Sequence, residues 1–244
     1  GNNANQITAK CTSGCTDGYD TNGITLTLNA PSALAYNGSA KAANISGYPG
    51  SVPENLAAEP TAITYYKSTG SGSAAPDGSA LSGAPTDPGN YVAQFAWGGE
   101  TASKAFTISK ADITASAADV NTAYDGEAHG ITVKVTEPTS GYTVKYGTAE
   151  GTYNETASPT ITNVADSPLT VYYQVTADNY ETKTGSAKVT LTKASQSAPV
   201  VSSTNETIEG KADGTIKGVT DAMEYKLSTD TDYTPITGTT VTGL

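Results

Sequence analysis

The chain repeats itself, and this constrains its fold more than any other feature. Ala35–Gly38 reads AYNG and Ala123–Gly126 reads AYDG; Ile108–Thr114 reads ISKADIT and Leu191–Ser197 reads LTKASQS. Tyr36 and Tyr124 are 88 residues apart (124 − 36), and Lys110 and Lys193 are 83 apart (193 − 110). Recurrence at such a period marks small modules set in a row rather than one large core. A module of roughly 80–90 residues can bury a core, though a thin one.

The residues between the repeated motifs alternate as strands do. In Ile24–Asn29, Ile24, Leu26 and Leu28 share one face while Thr25, Thr27 and Asn29 share the other. Asn37-Gly38 and Asp125-Gly126 are hairpin signals, because both central residues of the tightest hairpin turns need positive φ. Thr and Tyr are abundant (15 Tyr against 2 Phe and 1 Trp), which suits pleated half-buried surface and disfavours helix bundles. The expected fold is therefore all-β: tandem Greek-key β-sandwich modules of immunoglobulin type in an elongated array. The divisions read as a flexible lead at 1–22, a first module at 23–110, a second at 111–194 and a partial third at 195–244. The turn-rich stretch Ser68–Gly89 reads as a long exposed loop.

Charge narrows the partners. With 24 acidic residues against 13 lysines and no arginine, net charge is −11, and bidentate contacts to phosphate or guanine are out of reach, so nucleic acid is set aside. No apolar run approaches the roughly 20 residues that span a bilayer. Gly1 reads as the remnant of a removed tag, so the missing leader carries no information about export. A monomer is expected.

Chemistry-bearing clusters are sparse. Cys11 and Cys15 lie in a Gly/Thr-rich stretch and read as a local disulfide or two free thiols. As half of a zinc site they would need two more ligands. The single histidine, His129, overlays on Lys41 of the first module, and both read as solvated hairpin residues, not as a catalytic base. Thr229–Asp232 (TDTD) reads as a solvated turn instead of a cation loop. No catalytic residue, cofactor or resident metal is expected. A Lys–Asn cross-link would have to use Lys134 or Lys188 with Asn163, but alternation puts Lys134 on the outer face. The candidate glycan contacts are Trp97, Tyr65 and Tyr91, since aromatic rings beside Gly-rich loops stack on sugars. The competing reading is core, because Tyr91, Ala93, Phe95 and Trp97 share one strand face. Tyr65-Tyr66 and Tyr172-Tyr173 should each put one ring in and one out.

At AYNG, AYDG, ISKADIT and LTKASQ, the chain resembles the tandem bacterial Ig-like repeats of the MBG/YDG kind, over about residues 24–194. The pattern DGTIKGVTDAMEY (Asp213–Tyr225), followed by YTPITGTTVTGL, resembles fibronectin-III-like repeats, in which a further strand would follow. The resemblance implies a segment of a cell-wall-associated surface protein of Gram-positive gut bacteria, extracellular and anchored through other parts of its parent. It implies a stalk or spacer role. The alternative is an adhesive or carbohydrate-binding module using the 68–89 loop and Trp97, with host or dietary glycans or host proteins as partners.

Overall fold

The computed structural model describes residues 4–9, 23–47 and 59–244. Among these the regular structure is all β-strand except for a single short 3-10 turn at Val164–Asp166. It divides into two compact units: residues 1–122 with 126–192, and residues 123–125 with 193–244.

The first unit holds two hydrophobic cores. Around the first lie β1 (Gln6–Ala9), β2 (Ile24–Asn29), β3 (Asn44–Ser46), β4 (Thr64–Ser68), β5 (Pro76–Asp77), β6 (Gly89–Trp97) and β7 (Glu100–Ile108). They form two sheets, ordered β1-β2-β3 and β5-β4-β6-β7, with antiparallel pairing throughout. Alternation decides what faces inward. Ile24, Leu26 and Leu28 of one sheet meet Tyr65, Ala93, Phe95 and Phe106 of the other in a single buried cluster. Removing this much apolar surface from water is the main force holding the sheets together. Phe106 anchors an aromatic group, edge-on to Tyr65 at 6.4 Å and stacked on Tyr91 at 5.8 Å.

Two expectations need correction here. The lead at 1–22 is not flexible throughout: Gln6–Ala9 is a strand paired with Ile24–Thr27, and Ile7 is only 3% exposed. The Leu28 amide donates to Asn5 O and the Ser103 amide to Ala4 O, so this segment ties to both sheets. An apolar Ile at an inward phase explains its capture. Nor is Ser68–Gly89 simply an exposed loop. β5 folds back on β4, the Leu81 amide donates to Tyr65 O, and Leu81 and Ala84 pack on the core.

The second core gathers β8 (Ala111–Asp112), β9 (Thr114–Ala117), β10 (Val120–Ala123), β11 (His129–Gly130), β12 (Val133–Glu137), β13 (Tyr142–Gly147), β14 (Thr160–Ile161), β15 (Leu169–Ala177), β16 (Tyr180–Glu181) and β17 (Lys183–Thr192). β9 pairs with β12, and a four-stranded sheet runs β10-β17-β15-β13. Ile113, Ile131, Val171, Tyr173, Val175, Val189 and Leu191 fill the space between. The pairing order repeats that of the first core: β13-β15-β17 corresponds to β4-β6-β7, and β9-β12 to β2-β3. Ala35, the first residue of AYNG, bridges Ser109 in parallel. Likewise β10, which ends on the first residue of AYDG, lies beside β17.

The second unit contains β18 (Ser202–Thr204), β19 (Thr215–Lys217), β20 (Glu224–Tyr225), β21 (Thr234–Pro235) and β22 (Thr240–Thr242). Its sheet runs β18-β19-β22, beside the hairpin β20-β21. Thr207–Glu209, which sequence alone suggests as a strand, is a turn. Asp213 accepts from the Thr207 amide and hydroxyl, and Glu206 accepts from the Gly210 and Ala212 amides. Side chains that satisfy backbone donors locally compete with ladder pairing, and here they win.

Candidate functional site

The three aromatic residues proposed from sequence as glycan contacts are core residues. Trp97 is 3% exposed, and Tyr65 and Tyr91 are each 6% exposed. The glycan reading of these rings is therefore corrected, for the reason already present in the alternation: all three sit on the inward phase. Their polar atoms are directed inside the module. Tyr65 Oη accepts from the Ala43 amide at 2.9 Å, and the Tyr91 hydroxyl donates to Asp87 O at 2.9 Å. Burial, and then the Asp87 charge, push the Tyr91 phenol above its ordinary value. Trp97 Nε1 is buried without a hydrogen-bond partner.

The outward rings are Tyr66 and Tyr172, as the period-two reading predicts; both are half-buried. Tyr66 lines a shallow recess of about 180 Å³ with Thr61, Thr64, Gln94 and Thr101. Gln94 Nε2 donates to Ser103 Oγ across the strand pair at 2.9 Å. A second recess of about 290 Å³ is lined by Lys67, Asp77, Asp87 and Asn90 near the end of the folded-back 68–89 segment.

The most constrained arrangement lies where the two cores of the first unit meet. β7 ends at Ile108, and only Ser109 and Lys110 separate it from β8. β8 pairs in parallel with β16 of the second module, Ala111 opposite Tyr180 and Asp112 opposite Glu181. The Ala111 amide donates to Asn179 O at 3.1 Å. Asn179 holds φ at +67°, a left-handed conformation that Asn tolerates better than most residues. From that corner its Nδ2 donates to Asp87 Oδ1 of the first module at 3.2 Å. The next ring, Tyr180, meets Tyr36 of AYNG edge-on at 5.6 Å and 80°. Its hydroxyl donates to Glu137 Oε1 at 2.8 Å, and this bond raises the phenol above its ordinary value. A side-chain hydrogen bond and a ring contact thus join the modules at two places, beside the β8–β16 pairing that anchors the first residues of the second module. The sequence showed only the missing linker. The pairing partner, Asn179-Tyr180, gave no signal beyond an ordinary turn.

The remaining expectations fall as follows. Cys11 and Cys15 lie outside the described residues. His129 is half-buried in β11 opposite Ile161, and Lys41 is only 4% exposed, so neither is the solvated hairpin residue expected. The Lys41 amide donates to Pro85 O at 2.8 Å, placing the folded-back segment beside it. Lys134 and Lys188 are exposed, and Asn163 bonds Asp166, so these three do not form a cross-linking set. In TDTD, Asp230 accepts from the Leu227 amide and so closes a turn, and Asp232 accepts from the hydroxyl of its neighbour Thr231. Among the described residues no cluster of His, Cys, Asp and Glu is arranged to hold a metal, and no helix is long and apolar enough to cross a membrane. Neither a protein-family model nor a curated protein matches the chain.

Proposed function

We propose that the chain is a non-catalytic spacer from a bacterial cell-surface protein, built of tandem Ig-like modules that present other parts of the parent protein away from the cell wall. One observation carries this reading: the linkerless junction, across which Asn179 reaches Asp87 and Tyr180 meets Tyr36. A free Gly/Ser linker would let two modules swivel. Here two residues separate β7 from β8, β8 is at once held by pairing with β16, and side chains bridge the two cores, which favours transmission of position over independent binding. The resemblance to MBG/YDG repeats points the same way, and with it the extracellular location. Burial of Trp97, Tyr65 and Tyr91 weakens the adhesive alternative.

The test is single-molecule energy transfer between dyes on the two modules of the first unit. A narrow distance distribution is expected, broadened by Asp87→Ala combined with Tyr180→Ala while both cores stay folded. A distribution already broad in the unaltered chain would overturn the spacer reading. So would saturable binding of the folded protein to mucin or a polysaccharide.

A further inference from the structure

We propose that Asn37 converts spontaneously to aspartate, and that the buried Lys41 ammonium both promotes the conversion and pairs with the carboxylate it creates. Asn37-Gly38 forms an exposed turn, with Gly38 at φ +75°. Asn37 and Gly38 are both exposed, and a Cβ built at Gly38 would meet nothing within 4 Å, so no other part of the chain crowds that side of the turn. Asn37 Oδ1 accepts two hydrogen bonds, from the Ser39 amide at 3.1 Å and from Lys41 Nζ at 2.7 Å. Two donors, one of them cationic, draw electron density from the side-chain carbonyl. They also stabilise the negative oxygen that develops when a nucleophile adds to it.

The chemistry needs only water. The Gly38 peptide nitrogen, losing its proton to solvent base, attacks Asn37 Cγ. The C–N bond of the carboxamide breaks and ammonia leaves, giving a cyclic imide. Water then opens the ring. Opening at Cγ restores the normal backbone with an aspartate side chain, and opening at the backbone carbonyl diverts the chain through the side chain as isoaspartate. Lys41 donates to the Cγ carbonyl oxygen, so it favours water attack there and hence aspartate.

The consequence is electrostatic. Lys41 is a buried lysine whose hydrogen-bond partner is a neutral amide. Buried charges are stabilised when paired, and a bond between two ionised groups is stronger than one to a neutral acceptor. Conversion would supply that pair. The second module already carries an acid at the overlaid position, Asp125 in AYDG, with His129 four residues on where the first module has Lys41. The altered first turn would therefore approach what the second turn encodes. Nothing in this chemistry depends on a spacer role.

The experiment ages the purified full chain at mildly alkaline pH and follows each asparagine by peptide mapping, separating aspartate from isoaspartate. Asn37 should convert well ahead of Asn44, Asn90 and Asn163, none of which precedes glycine. Its aspartate share should be higher in the native protein than in the same protein unfolded in urea. Lys41→Met, which keeps the stem's bulk, should slow native conversion several-fold. Independently, Asn37→Asp should raise the thermal midpoint of the first unit. That gain should vanish in the Lys41→Met background. Conversion of Asn37 no faster than that of Asn44, Asn90 and Asn163 would overturn the proposal. So would an unchanged aspartate share on unfolding, a lowered midpoint for Asn37→Asp, or a stable bond between Lys41 Nζ and Asn37 Cγ in place of an acid.

Discussion

The two compact units solve the same problem with different means. The first buries its side chains: one cluster holds Leu26, Leu28, Phe95 and Phe106, and the other holds Val171, Tyr173, Val175 and Val189. The second buries Val219, Ile236 and Val241, with Ile216, Met223, Tyr225 and Leu244 partly covered around them. Among the described residues, six of the seven exposed large hydrophobic ones fall in that second unit, Val200 at 93% exposed among them. A recess of about 560 Å³ opens among Val201, Ile216, Val219, Met223 and Ile236. What the second unit lacks in core it replaces with side chains closing turns: Glu206, Asp213, Asp221 and Asp230 each accept from backbone amides. Buried area keeps its value across pH, whereas carboxylate hydrogen bonds do not.

The sharpest way to separate the two is to remove one large side chain from each. Phe95 is 2% exposed at the centre of the first core, and Phe95→Ala should cost about 3–5 kcal/mol, the usual range for deleting a buried ring. Ile236→Ala should cost about 2–5 kcal/mol by the same rule, toward the lower end because the adjoining recess gives the site room to collapse. The consequences should nevertheless invert. With a larger reserve, the first unit should stay folded at ambient temperature with a lowered midpoint. The second, with three buried residues to rely on, should lose amide protection while the first unit's amides stay protected. Hydrogen exchange resolved by segment reads both outcomes. Simultaneous loss in both units after Ile236→Ala would show that they do not fold separately, and the contrast would fail.

The same contrast explains what could be read from the sequence. Period-two alternation located β2 and the inward face of β6, because Ile24, Leu26 and Leu28 and then Tyr91, Ala93, Phe95 and Trp97 are buried, although Val92 on the other face of β6 is buried as well. It also placed Trp97 inward, against the glycan reading that its Gly-rich surroundings invited. It failed at Thr207–Glu209, where alternation is present but Asp213 and Glu206 take the backbone donors first. The 68–89 segment was misread because composition reports turns and not destinations: Leu81 is one apolar residue in a polar stretch, yet its amide finds Tyr65 O. The junction was half legible. The absence of a linker is in the sequence, but the pairing of Ala111 with Tyr180 joins residues far apart in the chain, and no local pattern announces it.

Within the first unit, packing density itself can be probed. Gly185 lies opposite Tyr173, and a Cβ there would come within 2.3 Å of the phenolic oxygen and 2.5 Å of Cζ. The φ of Gly185 is not in the left-handed region, so the obstacle is space and not backbone strain. Gly185→Ala should cost about 1–3 kcal/mol, as inserting a methyl group into a filled site does. Pairing it with Tyr173→Phe, which deletes the closest atom, should recover part of the loss. If the alanine variant melts with the unaltered chain, the ring has room to move aside and the core of the second module is looser than its burial suggests.

The smallest effect, and the most selective, is set by pH. The Asp213 carboxyl is held below its ordinary value of 3.8, chiefly by the Thr207 hydroxyl and amide, with Lys211 adding a further bond. A depressed carboxyl stabilises the fold at pH values above its unfolded pKa. That contribution disappears as pH falls through the lower, folded value. Acidification through that lowered value, below the ordinary 3.8, should therefore release the 205–214 loop before it disturbs either core of the first unit, whose buried side chains are mainly apolar. Asp213→Asn should reproduce the release at neutral pH, because an amide can accept one bond but not both as a charged acceptor. Exchange of the Thr207 amide, followed against pH in both proteins, distinguishes the outcomes. A Thr207 amide that stays protected in acid would mean the loop is held by something other than its carboxylates, and the division between a unit built on burial and one built on charged turns would not stand.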